Sequence, residues 1–490
     1  MTKKKVPVQT PEWVKDAVFY QIFPDRFAMS ATLHKPRNLE AWDSTPTHHG
    51  FKGGDLLGVV EHLDYLQDLG INAIYFNPIF QSAANHRYHT YDYYNVDPLL
   101  GGNDALRVLL AEAHKRGIKI ILDGVFNHAS RGFFQFHDLL ENGPYSPYID
   151  WFSVKGWPLN AYEATQPPNY EAWWNLPALP EFNTSYQDVR EFLFGVAEYW
   201  VKFGIDGWRL DVPAEIDDDA FWQEFRRRVK TANPDAYIVG EIWHDARRWL
   251  MGDQFDAVMN YLFTKLCMEF FIGDNIEQHL VHGTSLWPIR SLDPAHFARE
   301  IEALLNLYPR EVTEAQLNLL DSHDTARFVA MAKGDETALR LSTMMQMVYP
   351  GAPCIYYGDE IGMTGGKDPL CRSGFPWDKK EWNQDLRTFM KRAVALRHAH
   401  PALRRGDFTT LLAEESVYAI GRAYEDDQIV AAFNVSQSVA EARIPVGEFL
   451  PEGAVLRDAF KKDRCTVTNG EIVVYILPRA AVALEVVRDV

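Results

Sequence analysis

Short apolar runs rich in β-branched and aromatic residues recur along the chain. Each closes in polar residues and is followed by a longer stretch whose apolar positions repeat at helical spacing. Eight such runs stand out: Val18 to Phe23, Ala73 to Phe76, Ile118 to Val125, Gly207 to Val212, Tyr237 to Ile242, Ala257 to Tyr261, Leu317 to Leu320 and Cys354 to Tyr357. Between them lie amphipathic stretches such as Leu56 to Leu69, Ala105 to Arg116, Asp188 to Phe203, Asp218 to Thr231 and Thr337 to Val348. Parallel strands need crossover helices, so eight alternations predict an α/β fold, a closed (β/α)8 TIM barrel. A doubly wound open sheet is the alternative, but no glycine-rich phosphate loop follows the first run.

Two departures from the repeat divide the chain. The connection after the third run, residues 127–185, is long and rich in Pro, Tyr, Trp and Asn, and reads as an inserted domain overhanging one barrel face. Beyond residue 401 the pattern changes to short alternating segments such as Ser416 to Ile420, Ile429 to Asn434 and Val473 to Leu477, which predict a C-terminal antiparallel β-sandwich over 402–490. The barrel then comprises residues 1–126 and 186–401.

With 47% hydrophobic and 24% charged residues, the chain can bury a core without disulfides, which excludes global disorder. A net charge of −18 repels phosphate backbones and anionic membranes, so nucleic acid and membrane are not expected partners. The cysteines Cys267, Cys354, Cys371 and Cys465 lack the close spacing of a zinc set or redox dithiol and read as buried thiols. The start MTKKKVPVQTPEW is basic but has no apolar segment behind it, and no later run has the length of a membrane span, so a cytoplasmic location is expected. Aromatic residues reach 13%, many in the loop region from Trp151 to Trp174, where flat rings suit either sugar faces or loop packing.

In such a barrel the active site lies where the strands end, and the polar residues there are mostly carboxylates. The third run ends in Asp123-Gly-Val-Phe-Asn127-His128 and the fourth contains Gly207-Trp-Arg209-Leu-Asp211. Strand alternation sends Arg209 and Asp211 to the same side, where a guanidinium can hold its neighbour ionised as a nucleophile. The fifth run closes in Gly240-Glu241-Ile-Trp243, a carboxyl group among apolar residues, as a general acid requires, and the seventh in Leu320-Asp321-Ser322-His323-Asp324. Adjacent strands can bring Asp211 and Glu241 to the roughly 5 Å separation of retaining glycoside hydrolysis. Each residue alone fits a structural ion pair or helix cap; their joint appearance at successive strand ends favours chemistry.

The segments DGVFNH, GWRLD, GEIW and LLDSHD closely resemble the ordered signature regions of the α-amylase family, glycoside hydrolase family 13. Leu179-Pro-Glu-Phe-Asn183 resembles the family's additional region in the inserted domain, and Gly358-Asp-Glu-Ile-Gly-Met363 with Asp368 and Arg372 looks most like the neopullulanase, cyclomaltodextrinase and maltogenic amylase group. The resemblance implies Asp211 as nucleophile, Glu241 as acid/base and Asp324 as the carboxylate that binds sugar hydroxyls beside the cleaved bond. It implies that Arg209 orients Asp211, that His128 and His323 donate to the same sugar, and that Tyr88 is the platform on which that sugar stacks. Asp123 and Asn127 would support the site, Glu215 would face the acceptor, and Trp243, Asp368 and Arg372 would line the cleft. The implied function is a retaining α-glucan hydrolase acting on α-1,4 and, as an extension, α-1,6 bonds of malto-oligosaccharides, cyclodextrins, pullulan or starch.

Other readings of the same residues are a glucanotransferase, a silent glucan-binding protein, or a metal-dependent hydrolase built from His128, His323 and Asp324. Pro213, beside Glu215, departs from the group's commoner pattern, which leaves hydrolysis and transfer both open. The group's additional N-terminal domain has no counterpart before the first run, so a more open cleft and a monomer are expected instead of a swapped dimer. The loop Ala28 to His34 lacks the Asp/Asn ladder of a calcium site, so no cofactor is expected to be required. A calcium ion near Asn127 is what the family resemblance alone would add.

Overall fold

A computed structural model describes residues 8–163 and 165–487; the basic start at residues 1–7 lies outside them. The eight runs form eight parallel strands, here β1 to β8 in chain order: Phe19–Ile22, Ala73–Phe76, Lys119–Gly124, Gly207–Leu210, Tyr237–Gly240, Ala257–Val258, Leu317–Leu319 and Ala352–Tyr356. β1 to β6 pair in sequence order, β7 pairs with β8, and β8 pairs with β1. A parallel bridge between Met259 and Leu317, with Asn260 N–H donating to the Leu317 carbonyl at 2.8 Å, completes the barrel between β6 and β7.

The predicted helices form with shifts of one to three residues at their ends, as in Gly102–Lys115, Gln187–Phe203 and Glu336–Val348. Acidic N-caps fix several starts: Asp218 accepts from the N–H groups of Ala220 and Phe221, and Asp335 from those of Thr337 and Ala338. Two expectations change. The stretch Leu56 to Leu69 divides at His62 into Leu56–Glu61 and Leu63–Leu69, and the His62 ring lies 3.6 Å from that of Trp377. The sixth strand is only Ala257–Val258, because Asn260 caps a helix beginning at Tyr261.

Among its described residues the segment after β3 carries one α-helix, Phe134–Asn142, and three short 3-10 turns, and is otherwise held by isolated bridges such as His128 to Glu181 and Ala172 to Pro180. These bridges return the chain end of the segment to its start, so it sits over the mouth formed by the strand ends. The C-terminal region forms a six-stranded antiparallel sheet and a two-stranded one, with Ala419, Val430, Ile444 and Ile472 in the core between them. Cys267, Cys354 and Cys371 are buried free thiols, whereas Cys465 is only partly covered.

Candidate active site

The parallel ladder continues past the strand ends and thereby places the carboxylates. Asp211 N–H donates to the Gly124 carbonyl at 3.0 Å, and Glu241 N–H to the Leu210 carbonyl at 2.9 Å. Asp123, Arg209 and Val239 share one register level, so Asp123 faces Arg209 directly across β3 and β4.

Arg209 is the hub. One terminal nitrogen lies 2.9 and 3.0 Å from the two oxygens of Asp123 and 3.0 Å from Asp211 Oδ1. The other lies 2.9 Å from Glu241 Oε2. A single buried guanidinium thus joins the residues implied as nucleophile and acid, and it is shared more widely than the Arg-x-Asp spacing predicts. Burial raises the Asp211 carboxyl well above the usual range; Arg209 opposes this, while Glu241, Asp123 and Asp324 add to it. Arg209 thus opposes the rise, as the Arg-x-Asp spacing leads one to expect, but it shares its charge among Asp123, Asp211 and Glu241.

Glu241 accepts from the backbone N–H of Val212 at 3.1 Å and from the indole N–H of Trp243 at 3.0 Å. Val212 has φ 36 and ψ 48, a left-handed conformation rare for a β-branched residue and placed before Pro213. That strained turn is what aims the Val212 N–H at the acid. Trp243 lies flat on Tyr261, ring centroids 3.5 Å apart. It therefore holds the acid as well as standing in the cleft, a role the sequence reading did not assign.

Asp324 contacts His323 Nε2 at 3.1 Å and Arg372 at 3.4 Å. Burial, then the nearby Glu241, push its carboxyl up to about 7, with Arg372 opposing. With 32% of its side-chain surface open to solvent, water blunts that shift. His323 is fully buried, and burial lowers its pKa well below the ordinary value, so the ring is neutral. The Gln21 amide nitrogen, which can only donate, lies 2.9 Å from His323 Nδ1. The ring proton is thus on Nε2, facing Asp324 and, at 2.6 Å, the Tyr88 hydroxyl.

Tyr88 donates to Asp123 Oδ2 at 2.8 Å and accepts from Asn77 at 3.2 Å. Its ring is parallel to that of His323, 4° between planes. Asp123, completely enclosed and accepting also from Tyr75, is placed to support these groups and not to reach a substrate. His128 is buried and held neutral, its pKa lowered by burial to about 3, and its Nε2 has no protein partner. Arg372 donates to the His323 carbonyl at 2.9 Å and pairs with Asp368 at 3.0 Å. Beyond that pair opens a cavity of about 360 Å³ whose walls include His48, His49, His86 and His89. Glu215 lies exposed on the rim at the end of the short turn Pro213–Glu215, where its charge acts on Glu181.

Around the calcium position suggested by resemblance, no group of three or more His, Cys, Asp or Glu among the described residues is arranged to hold an ion. The Asn127 amide nitrogen lies 3.5 Å from His128 Nδ1. At the loop after Phe27, Asp55 already pairs with an internal cation, Lys35, at 2.7 Å.

The spacing of sequence motifs found the strand-end residues but missed Gln21, Asn77 and Tyr75, which fix the proton positions. Gln21 lies within the first apolar run, and a lone polar residue in such a strand was the available signal.

A family model described as "Alpha amylase, catalytic domain" matches residues 21–406. A cyclomaltodextrinase from Bacillus sp is 47% identical over 422 residues, covering 86% of this chain and 72% of that protein. Neopullulanase 2 from Thermoactinomyces vulgaris is 46% identical over 430 residues, covering 87% and 70%. Among solved structures, the native form of the Nostoc punctiforme debranching enzyme is 50% identical, with a TM-score of 0.91, and is covered completely while covering 98% of this chain.

Proposed function

Given that this chain belongs to the α-amylase family of glycoside hydrolases, we propose that it hydrolyses α-1,4-glucosidic bonds of malto-oligosaccharides, cyclodextrins, pullulan or starch with retention of configuration. The observation that carries this reading is the single Arg209 guanidinium touching Asp211 at 3.0 Å and Glu241 at 2.9 Å, which makes two carboxyl groups of opposite role immediate neighbours.

In the first step Asp211 attacks the anomeric carbon as Glu241 gives its proton to the departing glycosidic oxygen, leaving a β-glucosyl ester on Asp211 and an ionised Glu241. In the second, Glu241 takes a proton from water, whose oxygen attacks the same carbon and releases Asp211. Asp324 and the neutral His323 Nε2–H bind hydroxyls of the sugar at the reacting bond, contacts that strengthen as the ring flattens. The orphan Nε2 of His128 is a further group for that sugar.

A second reading, attack on α-1,6 branch points, is favoured by the end-to-end correspondence with the Nostoc punctiforme debranching enzyme. The test is a product time course on soluble starch, a cyclodextrin and pullulan, with the released anomer followed by NMR. Initial α-anomers support retention; β-anomers overturn it, and absence of activity on every α-glucan would favour a silent binding protein. Transfer products at high substrate concentration would mark a glucanotransferase. The expected monomer is checked by light scattering.

A further inference from the structure

We propose that Asn77 and Gln21 are positioning residues in a one-way ring of hydrogen bonds that starts at Asp123 and holds the His323 imidazole as an Nε2–H donor toward the reacting sugar. The kinetic part of this inference rests on the α-glucan reading; the position of the proton does not.

The direction of the ring follows from counting donors. Both Asp123 oxygens lie within 3.0 Å of one Arg209 nitrogen, and Oδ2 also accepts the hydroxyl protons of Tyr75 and Tyr88, each at 2.8 Å. A phenol has one proton, so both hydroxyls, having given it to Asp123, can only accept from the Asn77 amide, at 3.3 and 3.2 Å. Asn77 is thereby turned with Nδ2 toward the tyrosines and Oδ1 toward Gln21, whose Nε2 donates to it at 3.0 Å. The same nitrogen donates its second proton to His323 Nδ1, 2.9 Å away. The imidazole proton is left on Nε2, where it meets the Tyr88 oxygen at 2.6 Å and closes the ring. Every polarity is therefore set at Asp123 in β3 and passed to the end of β7 through Asn77, just past β2, and Gln21 in β1.

Two observations separate this arrangement from ordinary packing. Gln21 is buried, yet its Oε1 has no protein partner. A buried carbonyl left bare is destabilising, so the position is filled for the two N–H groups of the amide, which an apolar residue in that strand would not supply. The second observation lies at the site, where His323 Nε2 is 3.1 Å from Asp324 Oδ2. With its proton there, the imidazole supports that carboxylate and can donate to a sugar hydroxyl. With the proton on Nδ1 it would turn a lone pair toward the carboxylate and offer the sugar no donor. Asn77 and Gln21 are both enclosed, so their effect on the reaction passes through His323.

The test is nitrogen NMR of enzyme isotopically labelled at histidine, with His323 assigned from a His323→Gln variant, beside kcat, KM and melting temperature for wild type, Gln21→Glu and Asn77→Ser. In wild type at neutral pH we expect a bare Nδ1 and a protonated Nε2. Gln21→Glu sets a carboxylate against Nδ1 and should draw a proton onto it, with kcat on a cyclodextrin lowered roughly tenfold, the order of one hydrogen bond, and KM nearly unchanged. Asn77→Ser leaves Gln21 free to turn and should give a mixture of the two tautomers with a smaller loss of kcat. A proton on Nδ1 in wild type, or a bare Nδ1 in both variants, overturns the ring. So does a kcat that falls only in step with melting temperature while Nδ1 stays bare, which would make Gln21 and Asn77 packing residues. Wild type inactive on every α-glucan overturns the hydrolase reading instead, and a bare Nδ1 in that protein still supports the ring.

Discussion

The strand ends of the barrel and the segment inserted after β3 lie side by side yet are built on opposite principles. At the strand ends Asp123, Arg209, Asp211, Glu241 and His323 are all buried, linked through one guanidinium and one hydroxyl. In the inserted segment Tyr145, Tyr162 and Trp174 remain exposed at 91%, 71% and 74%. Charge that must act on a transition state is worth most where water is excluded and geometry is fixed. The two regions thus set a buried electrostatic cluster beside exposed aromatic surface.

The largest break in that comparison comes from the buried side. Glu241→Gln removes the transferable proton but keeps the shape and the acceptor for Trp243, and activity on starch should fall by roughly 10²–10⁴-fold. A variant with near wild-type turnover would remove Glu241 from the mechanism.

Asp324→Asn should be nearly as damaging to kcat and also carries a pH signature. Because the folded carboxyl is raised toward about 7, its stabilising contribution is fully present below the unfolded value near 3.8 and is lost as pH rises through about 7. The asparagine variant should thus gain thermal stability relative to wild type at pH 8 and lose that gain at pH 5. Equal differences at both pH values would contradict the raised carboxyl.

A smaller effect tests the support of the acid within the buried cluster. Trp243→Phe keeps a ring on Tyr261 but removes the N–H at 3.0 Å from Glu241, and kcat should drop roughly tenfold, as for one hydrogen bond to a charged group. A change confined to KM would mean that Trp243 touches substrate and does not set the acid. The smallest expectation is no change: with Lys35 on Asp55 and no cluster of three or more His, Cys, Asp or Glu set to hold an ion among the described residues, dialysis against EDTA should leave both activity and melting temperature as they were. Loss of either, restored by calcium, would contradict the donor assignment.

Much of the barrel was legible because each strand is buried on both faces and so reads as an apolar run, while each crossover helix shows its own period. The sixth strand was overestimated since Asn260, which ends it, resembles the polar close of any other run. The catalytic candidates were visible as motifs at strand ends. Their partners were not: Gln21 lies 302 residues before His323, and Tyr88 lies 121 before Arg209.

What the sequence by itself determined is the order of β and α units, the interruption after the third strand, and the residue types at each strand end. These follow from local periodicity and from which side of a strand a residue occupies. Only the tertiary structure decided that one arginine serves Asp123, Asp211 and Glu241 together, that the His323 proton sits on Nε2, and that Trp173 and Trp174 continue a stack begun by His128. Proton affinities and ring stacks depend on burial and on neighbours brought from distant parts of the chain, and barrel closure sets both.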